Sequence, residues 1–214
     1  IVTAIKFLVE EGSYRYVLSG SLLGVDLKDL RSVPVGYMSV KNMYPLDFEE
    51  FLWANGVGAP LVEMLKKNLE METPVPDALH NRMKQLLLQY TVVGGMPDAV
   101  QTFVDTKQMD KVLRIQRDIV RSYEDDMVKY AEKKDKSRIK ECFQSIPRQL
   151  SKENKKFQYS VIKKGSTASK YTGSLQWIED AGIIARCYNL SITELPLDGN
   201  AEEEVFKVYM RDCG

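Results

Sequence analysis

The chain has 214 residues, 30 Lys and Arg against 30 Asp and Glu, and 44% hydrophobic residues. That is enough for one sizeable core or two small ones, and the mix is ordinary for a globular protein rather than a disordered or disulfide-stapled one. No apolar run comes near the ~18 residues a membrane-spanning helix needs, and Cys142, Cys187 and Cys213 are too few and too scattered for a disulfide framework, so a reducing, cytoplasmic setting is the expectation. With one histidine, His80, and no close cysteine pair, no metal site is expected.

The spacing of Ile5, Leu8 and Val9 predicts an amphipathic helix over 3–11, stopped by Gly12. The glutamates Glu10 and Glu11 follow apolar residues, but the helical period makes them a helix end rather than a metal-binding acid pair. Tyr16-Val17-Leu18 suits a short buried strand, Ser19-Gly20-Ser21 turns the chain out of it, and Gly36 to Val40 alternates as a second strand.

From there the period is helical. Asp47 caps a helix through Phe48, Phe51 and Leu52 that ends at Asn55-Gly56. A second helix covers Pro60 to Leu69. Thr73-Pro74-Val75-Pro76 is a stiff linker, and Asp77 opens a third helix, broken at Gly94-Gly95. Pro97 suits the first turn of the next, and a long amphipathic helix runs from Asp110 to Tyr130. A polar boundary spans Ala131 to Ser137.

Beyond it the sequence predicts three short helices, at Arg138–Leu150, Tyr159–Lys163 and Ser166–Asp180, with a bend at Pro147. A strand over Ile183–Tyr188 is expected to pair with Ile192–Leu197. Three helices followed by a strand pair is winged-helix order. Glu204 to Met210 alternates charged and apolar residues as one more strand, without an evident partner. The charge is uneven along the chain. Residues 129–170 hold 13 lysines and arginines against 4 acids, a net of +9. Such asymmetry points to a basic face, and a solvated helical surface with internal ion pairs has the same composition.

Several of these segments, taken in order, resemble bacterial and archaeal P-loop ATPases of the AAA+/STAND assemblage. The segments are Tyr14-Arg15-Tyr16-Val17-Leu18-Ser19-Gly20-Ser21, Met43-Tyr44-Pro45-Leu46-Asp47-Phe48-Glu49-Glu50-Phe51, Val92-Val93-Gly94-Gly95-Met96-Pro97, and the stretch through Phe206 to Asp212. The resemblance implies a chain that is mostly α with some β. Residues 1–46 would be the tail of a P-loop α/β sheet, 47–131 a helical lid, 132–198 a winged-helix domain, and 199–214 the start of a truncated C-terminal domain, restriction-endonuclease-like in relatives.

No glycine here is followed by lysine, so the phosphate-binding loop is absent. The chain therefore reads as a fragment whose N-terminal ATPase half would hold ATP phosphates and Mg²⁺, and which alone neither binds ATP tightly nor hydrolyses it. Within the resemblance, Ser19 or Ser21 would sense the γ-phosphate, and Gly95 and Pro97 would line the base. An ordinary Ser-Gly turn and a ligand-free helix–helix turn have the same compositions. Relatives often carry an arginine after the residue matching Gly36, where this chain has Tyr37.

The alternative function is a nucleic-acid-binding or partner-binding winged-helix module without ATPase activity. Lys163, Lys164, Ser166, Ser169 and Lys170 at the start of the third short helix would then contact DNA phosphates. Partners in either case would be the missing N-terminal half, DNA, or further copies of the chain, with no membrane.

Overall fold

The computed structural model describes residues 5–20, 37, 39, 41–131 and 134–214. The described part is mostly helical with one small antiparallel sheet, and the chain divides into two compact units. One contains residues 44–129 and 212–214; the other contains residues 1–43 and 130–211.

The first unit is helical throughout. Its helices are α2 (Phe48–Ala54), α3 (Ala59–Glu70), α4 (Asp77–Val93), α5 (Pro97–Thr106) and α6 (Met109–Tyr130). The expected Asp47 cap is a full capping box: the Glu50 amide donates to Asp47 Oδ1, and the Asp47 amide donates to Glu50 Oε2, each at 2.9 Å. Two amides that a helix start leaves without partners are thereby satisfied. The core gathers Phe51, Leu52, Val62, Leu86, Val93, Val100, Phe103 and Val112. Phe51 stacks on Phe103 at 6.0 Å between centroids and meets Tyr90 at 5.3 Å, so one ring on α2 binds α5 and α4 together.

The second unit begins with α1 (Ile5–Glu11), ended by Gly12 as expected. It continues with α7 (Lys136–Leu150), a 3₁₀ turn at Tyr159–Val161, α8 (Ala168–Asp180), β1 (Ile184–Leu190), a second 3₁₀ turn at Leu197–Asn200, and β2 (Ala201–Met210). Ile139, Cys142, Phe143 and Ile146 form the buried stripe of α7, facing Tyr171, Leu175 and Ile178 of α8 at matching helical spacing. Pro147 lies inside α7, which continues to Leu150. A β-hairpin closes this core with Phe206 and Val208. Phe157, Tyr159, Tyr188 and Phe206 form an aromatic cluster, and Arg186 lies over the Tyr188 ring at 5.6 Å while its Nε donates to Glu179 Oε2 at 2.7 Å. That pair fastens β1 to α8.

Three expectations need correction. Tyr16-Val17-Leu18 is not a strand: the segment is irregular, and Val17 is 93% exposed. A strand exists only by pairing, and the one sheet among the described residues lies at 184–210. The partner of β1 is not Ile192–Leu197 but Ala201–Met210. The earlier segment contains Pro196, which has no N–H to give a ladder, whereas Glu204 to Met210 offers alternate apolar residues to one face. Residues 201–210 of the segment 199–214 form the second strand of this hairpin. The expected helix at Tyr159–Lys163 is a single 3₁₀ turn, because Gly165 follows within one turn at φ +81°. Of the expected Gly36–Val40 strand, Gly36, Met38 and Val40 lie outside the described residues.

Candidate functional site at the Gly94–Gly95 turn

The α4–α5 turn is where glycine is structurally demanded. Gly94 caps α4 with φ +75°, a conformation that side chains other than glycine adopt at a cost. Gly95 is needed for space: a Cβ there would lie 2.1 Å from the Leu46 carbonyl oxygen. The Leu46 amide donates to the Gly95 carbonyl at 2.7 Å, and the Tyr90 hydroxyl donates to the Leu46 carbonyl at 2.8 Å. Two of the segments that carry the ATPase resemblance, 43–51 and 92–97, are thus joined in one structural knot. On the other side, the Gly95 amide donates to Asp212 Oδ1 at 2.6 Å, and the Cys213 thiol lies 3.5 Å from the Tyr90 carbonyl. Burial first, with the nearby Cys213 and Asp212 adding to it, pushes the Tyr90 phenol up to about 12, so it stays a neutral donor.

Pro97 begins α5 at its first position and is exposed. A shallow groove of about 320 Å³ lies in the same unit, walled by Leu113 and Val120 of α6 with Gln116, Arg117, Arg121 and Gly214. Gln116 reaches back to donate to the Val92 carbonyl at 2.8 Å. Glycine composition signalled this turn in the sequence. Leu46, Tyr90 and Asp212 carried no such signal, since Asp212 stands 117 residues from its partner.

Of the two sensor candidates, Ser19 is exposed in the irregular segment after α1, away from any strand end, and Ser21 lies outside the described residues. Tyr37, standing where relatives often have arginine, donates its hydroxyl to Glu10 Oε1 at 2.9 Å, and that bond raises its pKa.

The third set of residues splits. Lys163 is committed within the fold: its Nζ meets Glu141 Oε1 at 2.9 Å, while the Tyr171 hydroxyl donates to Glu141 Oε2 at 2.6 Å. The Tyr171 bond first and the Lys163 bond second hold the Glu141 carboxyl below its usual range. Lys164, Ser169 and Lys170 are exposed at the start of α8, Ser166 is half-buried, and the Ser169 hydroxyl shares a 3.0 Å bond with Thr167. An open groove of about 280 Å³ adjoins Lys163 and Arg148 on α7, where Arg148 donates to the Val161 carbonyl. Among the described residues no group of three or more His, Cys, Asp or Glu could hold a metal ion, and no helix is long and apolar enough to cross a membrane.

Residues 84–214 match the model of a family described as a domain of unknown function, DUF8612. The match covers well over half of the chain, which therefore belongs to this family. It takes in the Gly94–Gly95 turn, Asp212, and the whole of the α7–β2 region. No curated protein and no solved structure matches the chain.

Proposed function

We propose that this DUF8612 chain is the lid and winged-helix portion of a P-loop ATPase of the AAA+/STAND type. In the intact protein, Gly95 and Pro97 would flank the nucleotide base, and residues N-terminal to Ile1 would hold the phosphates and Mg²⁺. One observation carries this reading. The two most distinctive segments of the resemblance, far apart in sequence, bond to each other through Leu46, Gly95 and Tyr90. The decisive experiment is to read the open frame upstream of Ile1. A Gly-x-x-x-x-Gly-Lys-Ser/Thr loop in frame supports the reading, and its absence sinks it. The chain by itself should show no Mg²⁺-dependent ATP turnover after rigorous purification.

A second reading concerns nucleic acid, and a separate observation favours it. The order α7, 3₁₀ turn, α8, hairpin supports a winged-helix reading, and a bridge from Lys156 to Lys207 lays a short extra segment on the edge of β2. The start of α8 offers Lys164, Ser169 and Lys170 to solvent. Hydroxyls and ammonium groups there suit phosphate contacts, which give affinity without sequence preference. Because Lys163 is tied to Glu141, the clean variant replaces only Lys164 and Lys170 with Glu. It should weaken duplex DNA binding and lower the slope of log K against log salt by roughly two. Unchanged binding rejects this surface.

A further inference from the structure

The Gly94–Gly95 turn is gripped on two sides by backbone of its own chain, and the second grip has no counterpart in the reading above. Leu46 occupies one side. The other is taken by Asp212-Cys213-Gly214, which follows β2. The contact is built for glycine at two positions, Gly94 and Gly214. A Cβ on Gly94 would lie 2.4 Å from Asp212 Oδ2 and 2.8 Å from the Gly214 backbone, and a Cβ on Gly214 would lie 2.5 Å from the Val93 carbonyl. Distances that short are not met by side chains, so only glycine lets these two backbones approach. The Asp212 carboxylate then takes the Gly95 amide at 2.6 Å, a charge-assisted bond at the strong end of the range.

The helix fields around this bond oppose each other. Asp212 sits where α4 ends and α5 is about to begin. Its charge is opposed by the carbonyl end of a 17-residue helix and favoured by the amide end of a 10-residue one. The hydrogen bond and the fit of the glycines hold the segment in place, with the helix fields working against each other.

We propose that Asp212–Gly214 is an internal plug on the Gly94–Gly95 turn, and that any ligand using the Gly95 N–H must first displace the Asp212 carboxylate. One amide hydrogen cannot serve two acceptors at full strength, so plug and ligand compete directly. What the plug blocks rests on the nucleotide reading of the turn; the plug itself rests only on the contacts of Gly95 and Gly94.

The test is residue-resolved amide hydrogen exchange on the 214-residue chain and on Asp212→Ala and Asp212→Asn, followed by addition of ADP. The Val57 amide, bonded to the Leu52 carbonyl at 2.9 Å in the same unit as Gly95, reports whether that unit stays folded in each variant. Exchange at Gly95 should rise about tenfold or more in Asp212→Ala and less in Asp212→Asn, whose side-chain oxygen still accepts, with Val57 unchanged. Gly95 protection equal to wild type in a folded Asp212→Ala overturns the plug. With the plug removed, ADP at millimolar concentration, needed because the chain carries no phosphate-binding loop, should shift the Gly95 amide resonance in Asp212→Ala more than in wild type. An exchange response without any ADP effect in either protein leaves the plug standing and counts against the nucleotide reading.

Discussion

Glycines in this chain have opposite physical roles, and the difference is testable at single positions. Gly95 has no room: its Cβ would meet the Leu46 carbonyl at 2.1 Å, and that atom is backbone, held by the Tyr90 hydroxyl. Gly95→Ala should therefore destabilise residues 44–129 by on the order of 2 kcal/mol, the range for forcing extra volume into a packed site. Gly173 is the contrary case, mid-helix in α8, exposed, with nothing within 4 Å of a built Cβ. Alanine there removes unfolded-chain freedom at no steric cost, so Gly173→Ala should stabilise by about 0.5–1 kcal/mol. Thermal melts of the two variants should move in opposite directions. A neutral Gly95→Ala would mean that the Leu46 contact is not made in solution. Sequence composition marked Gly94-Gly95 as special yet could not separate a ligand turn from a packing turn. That distinction depends on Leu46 and Asp212, neither of which is near in the chain.

Between elements, the Glu141 carboxylate is the link that joins α7 to α8. It accepts from Tyr171 on α8 at 2.6 Å and pairs with Lys163 just before it at 2.9 Å. Tyr171 is buried, so Tyr171→Phe keeps the packing and removes only the hydroxyl, which should cost about 1 kcal/mol near neutral pH. The pH dependence has a definite sign. The Glu141 pKa is lowered in the folded chain from its ordinary 4.5, so its contribution is present above that value and is lost as pH falls through the lower folded one. The gap between wild type and Tyr171→Phe, measured by denaturant unfolding, should be constant at neutral pH and narrow below about 4.5. A gap that widens in acid would show that the Tyr171 bond does not depress Glu141. Helices were legible in the sequence because capping residues and a 3.6-residue period are local: Asp47, Pro97 and the stripes of α7 and α8 stand where expected. Both strands of the sheet were expected near 183–188 and 204–210, but their pairing was not, because pairing is non-local. Ile192–Leu197 was the nearer candidate for β1, and the partner lay beyond Pro196. Tyr16-Val17-Leu18 has strand composition without a ladder to join. The Lys163–Glu141 pair was hidden for a related reason, since a lysine in a basic run gives no sign of a carboxylate partner 22 residues away.

At the scale of the whole molecule, the three thiols sample three different environments, which turns a compositional expectation into a measurement. Cys142 is fully buried in the core between α7 and α8, and burial pushes its thiol up to about 12. Cys187 is exposed on β1. Cys213 is exposed in the plug segment, and burial of part of its surroundings, with the Asp212 charge second, raises its thiol pKa. Alkylation requires thiolate and access together. At pH 8 an alkylating reagent should modify Cys187 first and Cys213 more slowly, leaving Cys142 untouched until the core unfolds. Mass mapping of the modified peptides over time separates the three. In Asp212→Ala the Cys213 rate should approach that of Cys187, because the neighbouring negative charge is gone and the segment no longer docks on Gly95; the Cys187 rate should not change. Early labelling of Cys142 would contradict the packing of α7 against α8. An unchanged Cys213 rate in the variant would contradict the docking of the plug. All three cysteines are unpaired in the fold, and the one with a buried structural place is also the one whose chemistry the fold suppresses most strongly.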